Sequence, residues 1–252
     1  MTETTTDILD LKGRGVVSII GAGGKTTLMF CLADQLSKKG LTVLTTTTTK
    51  IFVPGKDQSP CIITASCADE LMEKSRQALC RYPCFSAGRE INKNLGKLEG
   101  FSIDVIDTLH RSMIFDWIIV EADGARQKPV KASAAHEPVP VTTTTHLVLV
   151  TGLDAVGTVL DDNFVHRPEL FAANTGILPG SIIDDHAIAS CIETEIRKSA
   201  AMCSPNHTYV VLNKADTPDS VRSGQKIADL LYKSTDIDKI IITSLFRHKK
   251  EQ

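Results

Sequence analysis

The sequence predicts an α/β fold, a mostly parallel sheet flanked by helices. Three observations predict it. Short apolar runs alternate with amphipathic stretches along most of the 252 residues, which is the pattern of βαβ units. The first run, residues 16–20, is β-branched, ends at a glycine and is followed by a stretch with helical spacing. The chain is 42% hydrophobic and 23% charged, so it can bury a core of its own without disulfides or structural metal.

Taken in order, 16–20 reads as a buried strand. Residues 26–39 carry Leu28, Met29, Leu32, Ala33 and Leu36 on one helical face, and Gly40 closes that helix. A strand is expected at 41–46, a shorter one at 61–64, and a helix from about 68 to 79. Residues 87–100 hold three glycines and several charges, and read as a loop or weak hairpin. A helix follows at 103–110, then a fully apolar strand at 117–120. Further strands are expected at 146–151, 208–212 and 239–243, with a helix inside 184–201. No composition shift divides the chain, so a single domain over 1–252 is expected. The least readable stretch suggests a small insertion around 152–180.

Several function classes recede at once. The net charge is −2 and the pI about 6.4, so no basic excess points to nucleic acid or an anionic membrane. Residues 1–11 are rich in Thr and Asp with no apolar signal segment, and no run is long enough to span a bilayer. Seven cysteines without a repeated spacing suggest reduced thiols, and so a cytoplasmic protein. Cys80 and Cys84 are the closest pair, but no second pair completes a zinc pattern.

The strongest motif lies between the first strand and the first helix: Gly21, Ala22, Gly23, Gly24, Lys25, Thr26, Thr27. Glycines let the backbone turn tightly and aim several N–H groups at one centre. The helix start adds unpaired donors and the positive end of its dipole. Lys25 can reach β- and γ-phosphate oxygens, and the Thr26 hydroxyl can ligate Mg²⁺. The predicted fold is therefore P-loop NTPase-like, with a nucleoside triphosphate, GTP or ATP, and Mg²⁺ as cofactors. The spacing is compressed, because Ile19 stands where the usual first glycine would. In that form the loop resembles that of the Mur ligases, which bind ATP.

Such a site needs an acid near the ion. The strand at 117–120 runs into Glu121 and Asp123, which alternation places on one side. Either could bind Mg²⁺ with Thr26, directly or through water, or orient an attacking water. Lys25, Glu121 and Asp123 are thus the candidate catalytic residues. Asn213, Lys214 and Asp216 follow the 208–212 strand in the pattern Asn-Lys-x-Asp. A carboxylate there can accept two hydrogen bonds from guanine, which adenine cannot donate. A capped turn after a strand would look the same, so ATP stays open.

Other candidates lie on the same sheet edge, where open α/β sheets bind ligands. Thr48 and Lys50 end the second strand. Arg126, Lys131, His136 and Glu137 occupy a proline-stiffened loop, and His166 and Arg167 form a second cluster. They are candidate substrate contacts. The spacing of His136, Glu137 and His166 matches no metal-ligand pattern.

Together these segments resemble the selenium-dependent molybdenum hydroxylase accessory proteins, also called YqeC. The likeness runs through Ile20–Thr27, Thr46–Ile51, Val120–Gly124, Pro129–Ala132, Ala135–Val139, Gly152–Asp154 and His166–Glu169. It covers most of residues 15–216. Ser133 stands where a proline is expected. The resemblance implies a role in maturing a molybdenum enzyme, with that selenium-dependent hydroxylase or its cofactor as partner beside the nucleotide. An NTP-hydrolysing maturation factor is the first reading. An ATP-consuming transferase or ligase and a non-hydrolysing, nucleotide-gated scaffold stay open.

Overall fold

A computed structural model of the chain describes residues 5–233 and 236–245. After a short helix, α1 (Thr5–Ile8), come β1 (Gly15–Gly21), α2 (Lys25–Lys38), β2 (Val43–Thr47), β3 (Lys50–Phe52), β4 (Ile62–Thr64) and α3 (Ala68–Leu79). The middle of the chain forms β5 (Cys84–Gly88), β6 (Glu90–Asn92), β7 (Lys97–Glu99), α4 (Ile103–Arg111), β8 (Trp117–Glu121), β9 (Val130–Lys131) and β10 (His146–Gly152). Then follow β11 (Val165–His166), α5 (Pro168–Thr175), α6 (Asp185–Cys203), β12 (His207–Asn213), α7 (Pro218–Leu231) and β13 (Lys239–Ile242).

Eight strands form one sheet in the order β13-β12-β10-β1-β8-β2-β5-β4, and every pairing is parallel. A parallel sheet must be covered on both faces, so its inner strands should be apolar on both sides. They are. On β1, Val17 and Ile19 face α2, while Val16 and Ile20 join the clusters on the other face. Trp117 and Ile119 of β8, Val148 and Val150 of β10, and Tyr209 and Val211 of β12 also face the α2 side. Their alternating neighbours pack against α3 and α4 at one end and against α6 and α7 at the other. Leu28, Leu32 and Leu36 of α2 are fully buried on the central strands. At roughly 1.5–3 kcal/mol per buried side chain, they fix the helix whose first turn carries the glycine-rich loop.

Three stretches hold detail that periodicity alone does not give. Residues 87–100, expected as a loop or weak hairpin, contain the hairpin: the end of β5 leads into β6 and β7, which pair antiparallel with each other, and β7 also pairs antiparallel with β3 in a small three-stranded sheet. The β5 strand escapes a hydropathy reading because it holds buried Ser86, whose hydroxyl meets that of Thr45 on β2 at 2.7 Å. Helix α7 is set by a capping box, Thr217 with Ser220, and by Pro218 in its first turn. The stretch around 152–180 contains a 3₁₀ turn (Leu153–Ala155), β11 and α5. Its β11 pairs in parallel with β9, placing His166 beside Lys131. No described helix is long and apolar enough to cross a membrane.

Candidate functional site

Because all eight strands run the same way, the ends of β1, β8, β2 and β12 gather at one edge. There the chain turns through Gly21–Gly24 into α2. Gly24 has a φ of 139°, and a Cβ on it would lie 2.3 Å from Nδ2 of Asn213. Only glycine admits both that backbone and that neighbour. Asn213 Nδ2 uses the space to donate to the Gly23 carbonyl at 2.7 Å, and its Oδ1 accepts from Leu245 N–H. No side chain caps α2, and its first turn opens onto the adjoining cavity.

Lys25 is 4% exposed. Its Nζ donates to the Gly21 carbonyl at 2.7 Å and lies 3.1 Å from Asp123 Oδ1 and 3.7 Å from Glu121 Oε1. Burial works against the ammonium, but Asp123 and then Glu121 outweigh it and hold its pKa above the ordinary lysine value. Burial pushes the Glu121 carboxyl above its usual range, against the pull of Lys25. Glu121 Oε2 accepts from the Thr26 hydroxyl at 2.7 Å. Glu121 is also fixed through its backbone, whose carbonyl accepts from the Thr47 hydroxyl at 2.6 Å.

Asp123 is fully buried and has different partners. Its Oδ2 accepts from Gly21 N–H at 3.0 Å and lies 3.0 Å from Lys131 Nζ. Lys131, also fully buried at its side chain, reaches Glu137 Oε2 at 2.7 Å, and Glu137 receives Arg167 Nη1 at 2.6 Å. Burial at Glu137 is outweighed by Arg167 and Lys131, which bring its pKa down to about 2. Charges thus alternate without a break from Glu121 through Lys25, Asp123, Lys131 and Glu137 to Arg167. This chain was not readable from spacing, because its members come from α2, the end of β8 and the turn after it, β9 and the loops after β9 and β11, and are joined by the two-residue β9–β11 ladder.

Two cavities flank the chain. The larger, about 550 Å³, is lined by the loop and first turn at Gly23–Thr27, by Lys50, Phe52 and Lys97 on the small sheet, and by Glu121 and Lys214. The smaller, about 470 Å³, is lined by Gly124, Arg126, Glu137, Asp162, His166, Arg167 and Glu169. Gly124, Arg126 and Glu137 line both. Seven described non-glycine residues have a positive φ, and four of them border these cavities: Arg126, Gln127, Arg167 and Lys214. Each such conformation costs on the order of 1–3 kcal/mol, and such strain concentrates at ligand sites.

The predicted residues therefore separate into groups. Gly23 through Thr27, Glu121, Lys50 and Lys214 meet at the larger cavity, with Ala22 tied behind it to the Val150 carbonyl. Lys50 is engaged by Glu99 at 2.7 Å and Lys214 by Asp154 at 2.6 Å. His166 and Arg167 line the smaller cavity, and Arg126 and Glu137 stand on both. Thr48 and His136 line neither: Thr48 donates its hydroxyl to the Val139 carbonyl, and His136 is exposed in its loop. Asp216 is exposed, accepts from the Ser244 hydroxyl and does not line the larger cavity. Ser133, at the position where the family resemblance suggests proline, uses the N–H that proline lacks to donate to buried Glu195 Oε1 at 2.8 Å. Among the described residues no three His, Cys, Asp or Glu side chains form a metal-holding group. Sequence reasoning missed Phe52 and Lys97, whose ammonium sits 5.1 Å from the Phe52 ring centroid. Their strands are three residues long, too short to show a period.

Comparison with known proteins gives a consistent assignment. A sequence model of the family described as YqeC protein matches residues 17–169. The YqeC protein of Escherichia coli (strain K12) is 36% identical over 179 residues, covering 70% of this chain and 68% of the relative. Two solved structures share a looser likeness. The signal recognition particle 54 kDa protein of Aeropyrum pernix K1 in complex with GDP has 15% identity and a TM-score of 0.35. The match covers 92% of this chain but 35% of that one. Chloroplast FtsY of Physcomitrella patens has 16% identity and a TM-score of 0.33, over 96% of this chain and 55% of that one. At these scores the fold rests on the strand order and loop geometry above.

Proposed function

The chain belongs to the YqeC family, and from that premise we propose that it is a Mg²⁺-dependent nucleoside triphosphatase, GTP favoured, assisting maturation of a selenium-dependent molybdenum hydroxylase or insertion of its cofactor. One observation carries the nucleotide part of this reading. An uncapped helix start and a lysine held between two carboxylates open onto a cavity of about 550 Å³. The N–H groups at the start of α2 bind phosphate oxygens. Lys25 exchanges part of its carboxylate contact for the β/γ oxygens, and its charge offsets the charge that develops there in the transition state.

The donor set fits Mg²⁺. The Thr26 hydroxyl and the Glu121 carboxylate, 2.7 Å apart, are hard oxygen donors on the cavity wall. When bound, the ion would neutralise phosphate charge. Asp123 was expected to share in binding it. Its contacts to Gly21 N–H, Lys25 and Lys131 instead favour a positioning role, holding the loop and its lysine. Asn213 braces the loop, and base choice falls to the turn that includes Lys214 and Asp216, where Asp216 must trade Ser244 for guanine.

A second reading, a transferase or ligase, is favoured by the adjoining chamber, which could seat an acceptor. A binding and product panel separates the readings. The proposal expects Mg²⁺-dependent binding, GTP tighter than ATP, and products of NDP plus phosphate. Release of NDP without matching free phosphate, in the presence of an acceptor, would move the transferase reading to first place. No binding of any triphosphate would remove the assignment of the cavity.

A further inference from the structure

The smaller chamber shares Gly124, Arg126 and Glu137 with the larger cavity, but no step of nucleotide binding described above uses its other walls. Its volume, about 470 Å³, suits a small molecule. Both of its arginines, Arg126 and Arg167, sit in left-handed backbone, at φ 47° and 68°. Arg126 has no hydrogen-bond or ion-pair partner among the described residues. Arg167 makes both of its protein contacts through Nη1, to Glu137 and to the Ala132 carbonyl at 3.4 Å. The Nε and Nη2 donors are left without a protein partner among the described residues. Two donors fixed in one plane match a carboxylate or phosphate. The acids Asp162 and Glu169 are exposed, whereas Glu137 is already neutralised by two cations.

We propose that this chamber is a second ligand site, for a small phosphate- or carboxylate-bearing molecule held by Arg126 and Arg167, and that its occupancy antagonises nucleotide binding through the buried ion chain. The coupling rests on the reading of the larger cavity as a nucleotide site. Its sign follows from the order of charges. An oxyanion on the open edge of Arg167 shares a cation that Glu137 otherwise has to itself. Glu137 then leans on Lys131, Lys131 gives less to Asp123, and Asp123 holds Lys25 more firmly. Lys25 is harder to draw towards a triphosphate. By linkage, the nucleotide weakens the oxyanion by the same factor. The antagonism suits a factor that releases nucleotide as its cargo arrives, and it would hinder a transferase that needs both at once.

The test uses the full chain, a fluorescent GTP analogue with Mg²⁺, and constant ionic strength. Inorganic phosphate and succinate are titrated separately, to tell a phosphate site from a carboxylate site. In the wild type the apparent Kd should rise and level off at roughly five- to tenfold, the mark of coupling between two sites. In Arg167→Ala and Arg126→Ala the plateau should vanish. Calorimetry should show phosphate or succinate binding at least tenfold weaker in both variants. Arg126 is exposed and has no hydrogen-bond or ion-pair partner among the described residues, so its variant tests the site even if Arg167→Ala folds poorly; because Arg126 also lines the larger cavity, its anion plateau is read against its own Kd without anion. A Kd that rises without limit, equally in all three proteins, means simple competition at the phosphate loop and overturns the proposal, as does no effect of either anion. If the analogue does not bind at all, the nucleotide reading fails and the coupling with it. The calorimetric comparison still decides the chamber, and equal affinities in wild type and variants would reject it.

Discussion

Two aspartates sit just beyond parallel strands at the same edge of the sheet, and they live in different worlds. Asp123, past the end of β8, is fully buried and has Gly21 N–H, Lys25 and Lys131 around it. Asp216, past the end of β12, is exposed and accepts from Ser244. Equivalent places in the topology do not make equivalent groups. A carboxylate enclosed by two buried ammonium groups is part of what keeps the loop folded. A carboxylate in solvent can be reserved for a ligand at little cost to the fold.

The same substitution at both places breaks or sharpens that contrast, and the largest effect belongs to the buried one. Asp123→Asn keeps the shape and one acceptor for Gly21 but leaves Lys25 and Lys131 with one buried charge fewer. Removing one partner of a buried ion pair costs about 3–5 kcal/mol. Denaturant unfolding should show a loss in that range. A loss under about 0.5 kcal/mol would mean that the six charges act independently.

Next comes Lys25→Met, which removes the cation while filling the space. It should lower triphosphate affinity by about 3 kcal/mol, over a hundredfold, as two charge-assisted bonds are lost. Equilibrium binding measures it, and an unchanged Kd would detach the lysine from the ligand. Gly24→Ala should act on the same loop from the outside. The added Cβ cannot avoid Asn213 Nδ2, and the backbone there suits only glycine. It should weaken triphosphate binding roughly tenfold or more even though Lys25 is intact, since an estimated 1–3 kcal/mol of strain falls on the binding loop.

The pH dependence should be gentler. Glu137 is depressed in the folded protein to about 2, from an ordinary 4.5. A lowered folded pKa contributes stability that is complete above the unfolded value and lost as pH falls. The contribution should therefore fade between about pH 4.5 and 2, on the order of 2 kcal/mol once solvent screening is discounted. Glu121 works in the opposite sense. Burial raises its pKa, so the folded state takes up its proton first and gains stability as pH falls towards the ordinary value. Urea unfolding of Glu137→Gln against wild type across that window isolates the first effect. Parallel curves would show that Arg167 and Lys131 give Glu137 no preferential stabilisation.

The contrast also explains what could be read in advance. The strands β1, β8, β10 and β12 are nearly continuous apolar runs, because both faces of an inner parallel strand are covered, and a one-dimensional pattern records that. The glycine-rich loop and the acids at and just past the end of β8 were legible for a similar reason: their spacing follows from one strand and one turn. Strand β5 was hidden by Ser86, whose hydroxyl is satisfied across the sheet by Thr45 rather than by water. The Lys131–Glu137–Arg167 chain was legible only as charged residues scattered over two loops. What unites them is tertiary, the pairing of Lys131 with His166 across two-residue strands. The left-handed conformations of Arg126 and Arg167 leave no signal in their residue types.

The smallest structural effect and the most selective functional one should come from Asp216→Asn. Asp216 is exposed, so the change should leave unfolding free energy within about 0.5 kcal/mol of wild type. If the turn reads guanine, the wild type prefers GTP over ATP, because a carboxylate can accept from guanine's ring N–H and amino group together. Each charge-assisted bond is worth roughly 1.5–3 kcal/mol, so the asparagine variant should lose most of that preference while ATP affinity barely moves. Xanthosine triphosphate, whose oxo group suits an amide donor, should gain in its place. Ser244→Ala sharpens the test. It removes the hydroxyl that Asp216 must exchange for the base, and should leave GTP binding equal or slightly tighter. Equal affinity of the wild type for GTP and ATP would reduce Asn213–Asp216 to a brace and a capped turn. The base would then have to be chosen elsewhere on the larger cavity, where Phe52 is the aromatic surface on its wall.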